Sequence, residues 1–137
     1  MKLFLDSGAF IARALRDDRF HSDAVAVFEG LSRGRYPFRL FFTSGYIVDE
    51  TVTFLLYQAG ARVAISALEL IRKSPVLRVL HVSEAVETEA DAAFRRYASS
   101  GVSYTDCTTQ VLMHRQGIET AFSFDRDLEK LGFQRVP

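Results

Sequence analysis

Short, nearly all-apolar runs alternate along this chain with longer segments whose apolar residues recur at helical spacing. Lys2–Leu5 reads as a strand that stops at Asp6, and Ser7-Gly8 turn the chain into an apolar-faced helix over Ala9–Leu15. Ala24, Val27, Phe28 and Leu31 stripe a second helix across Asp23–Leu31, which Gly34 and Pro37 close. Leu40–Thr43 is a second strand, apolar almost throughout, as a strand covered on both faces must be. Thr43-Ser44 cap a helix over Tyr46–Gln58 that Gly60 stops. Ala61–Ile71 forms its partner and is broken at Ser74-Pro75. Leu77–Val82 reads as a third strand, and Ser83, with Glu84 and Glu87 behind it, opens a helix through Tyr97. After a loop from Gly101, Thr105 caps a helix over Asp106–Arg115. Ala121–Phe124 is the fourth strand, Leu128–Leu131 a short helix and Gln134–Val136 a fifth strand.

This rhythm predicts the α/β class, with a doubly wound parallel sheet joined by right-handed crossovers. Such sheets carry their sites beyond the carboxyl ends of the strands. No repeat, low-complexity tract or linker interrupts residues 1–137, so one domain is expected, of a size that buries a substantial core. A 48% hydrophobic share with 12 Phe and 5 Tyr supports a folded chain. Seventeen basic and 17 acidic residues cancel. That balance excludes a global attraction for nucleic acid, so any RNA contact must come from a local basic patch or from a metal. Cys107 is the lone cysteine, which excludes an internal disulfide and suits a reducing compartment. The opening MKLFLDSGAF lacks the length and flanks of a signal peptide, and no 18-residue apolar stretch exists. A cytoplasmic protein without a membrane span is expected.

The chemistry resides in four carboxylates that the expected topology gathers: Asp6, Glu50, Asp106 and Asp125. Asp6 and Asp125 follow strands, and Asp106 lies in the first turn of a helix, where free N–H groups favour an anion. Glu50 is about two turns into its helix and reaches the others only if that helix leans across the sheet edge. Each alone has an ordinary explanation as a turn, cap or solvated residue. Four acids converging on one rim do not. Carboxylates brought close together repel and need a cation to stay ionised, which implies a divalent metal and phosphate chemistry. Asp125 competes with Asp127, two residues further on, for the same point.

The segments around these acids resemble those of a known family. Asp-Ser-Gly-Ala-Phe at 6–10, Ser-Gly-Tyr-Ile-Val-Asp-Glu-Thr at 44–51, Ser-Tyr-Thr-Asp-Cys at 103–107 and Phe-Ser-Phe-Asp-Arg-Asp-Leu-Glu-Lys-Leu-Gly-Phe at 122–133 resemble the PIN-domain ribonucleases. Within that family they are most like the VapC toxins of prokaryotic toxin–antitoxin pairs. The likeness spans essentially the whole chain, with the four blocks in order. It implies a PIN-like three-layer α/β/α domain with sheet order 3-2-1-4-5. It also implies Mg²⁺- or Mn²⁺-dependent phosphodiester hydrolysis of RNA, and a small antitoxin encoded beside the toxin. The family's four acids match Asp6, Glu50, Asp106 and Asp125, and its small hydroxyl residues match Ser7 and Ser123. Asp127 stands where relatives commonly carry His or Asp.

Oxygen ligands without a His or Cys cluster suit Mg²⁺ or Mn²⁺ and disfavour zinc. Asp6 is expected as the central ligand, Asp106 and Asp125 as its companions, and Glu50 at a second metal or at the attacking water. Ser7 and Thr105 either position ligands or only cap helices. Arg13, Arg16, Arg115 and Arg126 are the candidate phosphate clamps, and Tyr46 and Tyr104 are candidate stacking residues. His21, His81 and His114 share no metal-ligand pattern, and Cys107 lacks a His partner for nucleophilic work. A homodimer is expected from the resemblance and from the excess of apolar residues in Val52–Tyr57. Three other readings remain open. One is a PIN-type nuclease of RNA maturation or decay with no antitoxin. Another is a haloacid-dehalogenase-type phosphatase, weakened because Gly8 stands where its second Asp is needed. The last is a non-catalytic binding domain.

Overall fold

The apolar run Leu3-Phe4-Leu5 is buried, Leu3 and Phe4 completely, because β1 (Lys2–Leu5) is the middle strand of the sheet. The computed structural model describes all residues, Met1–Pro137. After β1 come α1 (Ser7–Ala14), α2 (His21–Ser32), β2 (Leu40–Ser44), α3 (Gly45–Ala59), α4 (Ala61–Lys73) and β3 (Leu77–Leu80). Then follow α5 (Glu84–Tyr97), a 3₁₀ turn at Ala98–Ser100, α6 (Tyr104–Gln116), β4 (Thr120–Phe122), α7 (Asp127–Lys130) and β5 (Gln134–Val136). The strands form one sheet in the order β3-β2-β1-β4-β5, with every pairing parallel. Helices flank this sheet in a three-layer α/β/α arrangement, as expected. An all-parallel sheet needs both faces covered. The main core runs from β1 and β4 through Ala9, Phe10, Val27, Ile47 and Val86 to Met113, Leu128 and Phe133. A smaller cluster of Leu55, Ala64 and Ala67 seals α3 against α4.

The element ends decide where side chains point. Asp6 caps α1, which therefore begins at Ser7 rather than Ala9. Ser44 caps α3 by accepting from the Ile47 N–H at 3.2 Å. Gly60, at φ 88°, ends α3 and opens α4, a backbone conformation left mainly to glycine. α2 begins at His21, two residues ahead of expectation, and β3 ends at Leu80 rather than Val82. Two boundaries correct the sequence reading where it matters most. Ser103, not Thr105, caps α6, so Thr105 is a residue of the helix's first turn. β4 ends at Phe122, so Ser123 and Phe124 belong to the connection that carries Asp125. No helix is long and apolar enough to cross a membrane.

Candidate active site

The ladder between β1 and β4 runs up to the first acid, since the Asp6 N–H donates to the Phe122 carbonyl at 3.0 Å. Asp6 then leaves the sheet with its carboxylate held at both oxygens. Oδ1 accepts from the Ser7 N–H at 2.9 Å and Oδ2 from the Ser123 hydroxyl at 2.7 Å. The same Ser123 oxygen accepts from the Asp125 N–H at 3.0 Å, so one buried hydroxyl links the first and fourth acid segments. On the other side, the Ser7 hydroxyl donates to Glu50 Oε1 at 2.5 Å, which ties α1 to α3 and brings Glu50 to the site. Ser7 and Ser123 thus each bind acids of the cavity directly. Asp106 is buried on the first turn of α6, whose N-terminus is fixed by the 3.0 Å bond from its own N–H to Ser103 Oγ.

Asp125 and Asp127 do not compete for one place. The Asp127 N–H donates to Asp125 Oδ1 at 2.9 Å, and this turn brings both carboxylates toward Asp106. Carboxylate oxygens of Asp106, Asp125 and Asp127 all lie within 4.8 Å of one another. Oxygen ligands sit about 2.0–2.6 Å from a divalent cation, so opposite ligands are about 4–5 Å apart. This oxygen-only triplet therefore fits such an ion. Asp6 lies outside this triplet but lines the same cavity, and its charge acts on Asp106. Lys130 Nζ, 2.9 Å from Asp127 Oδ1, is the nearest compensating charge for that carboxylate.

Burial in the presence of neighbouring acids shows in the titration of the two enclosed carboxyls. Burial lifts Asp6 from 3.8 to about 6, against the hydrogen bonds from Ser123 and Ser7 and with help from Glu50 and Asp125. Asp106 is lifted to about 7, first by burial and then by the charges of Asp6, Asp125 and Asp127. An open cavity of about 540 Å³ collects Asp6, Ser7, Glu50, Asp106 and Asp125 on one wall system. Ser103, Asp18, Phe20 and Phe124 also line it and were missed in the sequence. For Ser103 the signal was present: a Ser three residues ahead of an acid at a helix start is the capping-box spacing.

Of the expected phosphate clamps, Arg126 alone lines this cavity. Arg13 lies over the Phe28 ring at 4.5 Å, and Arg115 pairs with Glu89 at 2.9 Å beside a separate hollow between α5 and α6. Arg16 is exposed and outside the lining. Thr105 is also outside it; its carbonyl accepts from Thr108 Oγ1 at 2.7 Å. Tyr46 and Tyr104 are occupied elsewhere, donating to Glu87 and Asp91, each at 2.7 Å. His21 binds the Ala12 carbonyl and His114 packs on Phe133, in keeping with structural roles. Cys107 is fully buried, and burial with the Asp106 charge pushes its thiol up, away from the thiolate a nucleophile needs.

This geometry has counterparts among known proteins. The PIN domain family model matches residues 3–134. The 23S rRNA-specific endonuclease VapC20 of Mycobacterium tuberculosis is 36% identical over 94 residues, 69% of this chain and 71% of that protein. A VapC ribonuclease of Archaeoglobus fulgidus is 34% identical over 113 residues, 82% of this chain and 70% of that one. The crystal structure of VapC20, described as a sarcin–ricin loop cleaving toxin, superposes with a TM-score of 0.87 at 30% identity, covering 98% of each chain. VapBC2 of Rickettsia felis, at 9% identity and a TM-score of 0.70, shares the fold. With its sheet order, acid rim and full-length match in accord, this chain belongs to the PIN-domain family, among the relatives of the VapC ribonucleases.

Proposed function

We propose that this chain is a metal-dependent endoribonuclease that hydrolyses RNA phosphodiester bonds and serves as the toxin of a toxin–antitoxin pair. One observation carries the reading: Asp6, Glu50, Asp106 and Asp125, from four separate segments, line one cavity at the carboxyl rim of the sheet. The ribonuclease activity named for the VapC relatives supports the chemistry, and the toxin role named for VapC20 supports the biology. Residues 1–137 then act as one nuclease domain.

Asp106, Asp125 and Asp127 would hold Mg²⁺ or Mn²⁺, with Asp6 beside them as a further ligand or as acceptor for a coordinated water. When bound, the cation supplies an activated water and neutralises charge at the scissile phosphate. Glu50, held by Ser7, orients the attacking water and receives its proton. Ser123 fixes the Asp6 carboxylate and the Asp125 backbone, so the acids meet the substrate already arranged. Arg126 is the cavity's only basic side chain and is assigned to a phosphate oxygen. In-line attack leaves a 5′-phosphate and a 3′-hydroxyl. A small antitoxin would cover the cavity, with an arginine among the acids in place of the cation.

The test uses purified protein with a sarcin–ricin loop hairpin and an unstructured RNA, each with Mg²⁺ or Mn²⁺. Cleavage that excess EDTA abolishes, with 5′-phosphate ends identified by phosphatase and kinase labelling, is the expected result. Cleavage that persists in chelator would sink the metal assignment. Co-expression with the adjacent reading frame tests the toxin role. Relief of growth arrest with a co-purifying complex is expected, and a neighbour that neither binds nor protects would favour RNA maturation instead.

A further inference from the structure

Two aromatic side chains stand on the wall of the acid cavity, and the hydrolytic chemistry gives them no task. Phe20, at the end of the α1–α2 connection, and Phe124, between Ser123 and Asp125, stack with ring centroids 4.5 Å apart and planes within 5°. Both line the cavity and both are only half-buried. The pair is anchored from beneath: Phe124 meets the fully buried Phe122 edge-on at 5.9 Å. The turn that presents Phe20 is fixed by its own N–H donating to Asp18 Oδ1 at 2.8 Å. The guanidinium carbon of Arg19 lies over the Phe20 ring, 4.5 Å from its centroid. A parallel ring so close leaves no gap for a guanidinium, so Arg19 covers the face that Phe124 does not. Arg19 is itself exposed, and an exposed cation over a ring is held weakly.

We propose that the Phe124–Phe20 stack is a nucleobase platform for the nucleotide beside the scissile phosphate. The base takes the outer face of Phe20, and Arg19 turns from the ring to a neighbouring phosphate. This rests on the ribonuclease reading above and deepens it by defining what is bound. Every base offers a π face, so the platform tolerates sequence, but it demands a base free of its own helix. The nucleotide at the cut is therefore unpaired, in a loop or a single strand. An apolar anchor from a protein partner would fit the ring as well. RNA is favoured because the two rings share the cavity wall with Arg126 and the acids, within one nucleotide chain's reach of the scissile phosphate.

The experiment compares wild type, Phe20→Leu, Phe20→Trp and Phe124→Leu on one loop-containing RNA and on the same RNA made abasic at each nucleotide flanking the cut. Removing a stacked base or its ring costs roughly 5- to 150-fold. Phe20→Leu and Phe124→Leu are expected to lose that factor in kcat/KM, mainly through KM, with the Mg²⁺ dependence unchanged. Phe20→Trp is expected to match or exceed wild type. The abasic change at one flanking position should cost wild type the same factor and cost Phe20→Leu nothing further. Two results would overturn the platform: abasic RNA cut as well as its parent, or Phe20→Leu losing equally on both substrates, which marks a structural role. Unaltered cleavage with lost antitoxin binding would overturn it too, assigning the ring to a protein partner. Should Phe20→Leu not fold, Phe20→Trp and the abasic RNAs still decide. Cleavage of the parent RNA by wild type reports on the ribonuclease reading separately.

Discussion

Ser123 is the residue on which two acids depend at once. Its hydroxyl donates to Asp6 and accepts from the Asp125 backbone, and it is fully buried. Ser123→Ala should leave the Asp6 carboxylate short of a donor and reduce metal affinity about 10- to 100-fold, as loss of a ligand's hydrogen-bond partner does. Titration calorimetry with Mn²⁺ checks it, and an unchanged affinity would show that Ser123 only closes a turn. Asp106→Asn removes an acid of the triplet itself and should cost about 100-fold or more in cleavage, yet stabilise the metal-free protein. The sign follows from the titration. A carboxyl raised from 3.8 to about 7 stabilises the fold while it is protonated, and that contribution is lost as pH climbs through 7. Asp6, raised to about 6, acts the same way one unit lower. Metal-free protein should therefore melt at lower temperature at pH 8 than at pH 5, Mg²⁺ should restore it at pH 8, and Asp106→Asn should flatten the profile. Asp127→Asn should impair metal binding as much as Asp125→Asn; a near-wild-type Asp127→Asn would remove Asp127 from the ligand set. Asp127 was undervalued in the sequence because only one of two acids so close together after a strand was expected to aim at the shared point. A backbone turn closed on the Asp125 side chain cannot be read from that spacing.

At the scale of elements, the order of strands and helices was legible, because apolar runs and 3.6-residue stripes survive in any α/β protein of this size. What failed were the ends that local side chains decide. The run Ala121–Phe124 reads as strand, but the Ser123 hydroxyl takes the Asp125 N–H and Arg135 Nη1 donates to the Ser123 carbonyl at 3.0 Å. Both interactions divert the backbone from a ladder. Thr105 looked like the cap of α6 because it precedes Asp106, whereas the Ser103 hydroxyl meets the Asp106 N–H three residues on. The arginines failed for another reason. Arg13 and Arg115 sit on helices that leave the acids, but their outer faces carry them to Phe28 and Glu89. The cap can be tested directly. Ser103→Ala should destabilise the protein by about 1 kcal/mol and reduce activity by loosening Asp106, while Thr105→Ala should do neither; paired melts and cleavage rates decide. Equal effects from the two would mean that the helix start is shared.

Across the whole molecule, equal numbers of acidic and basic residues leave the approach of RNA to local features: Arg126, Arg19 and a bound cation. Apolar surface tells a second story. α3 buries Ile47, Val48, Thr51 and Leu55 on one side, yet leaves Phe54, Leu56 and Tyr57 at 42%, 45% and 80% exposure. On α4, Ile65 and Leu70 are each 58% exposed. A helix apolar on more than one side needs a second surface to bury it, and a symmetric copy is the simplest source. We therefore propose that the α3–α4 pair is the interface of a homodimer. Light scattering at tens of micromolar should give twice the 15.4 kDa chain mass. Tyr57→Glu combined with Leu70→Glu should yield a monomer with an unchanged circular dichroism spectrum, because neither side chain contributes to the core. The triplet that fits the cation, Asp106, Asp125 and Asp127, lies on α6 and around the start of α7, outside α3 and α4, so that monomer should still bind Mn²⁺ as wild type does. A wild-type monomer at the same concentration would refute the interface. A monomeric variant that loses Mn²⁺ binding would show instead that dimerisation completes the site.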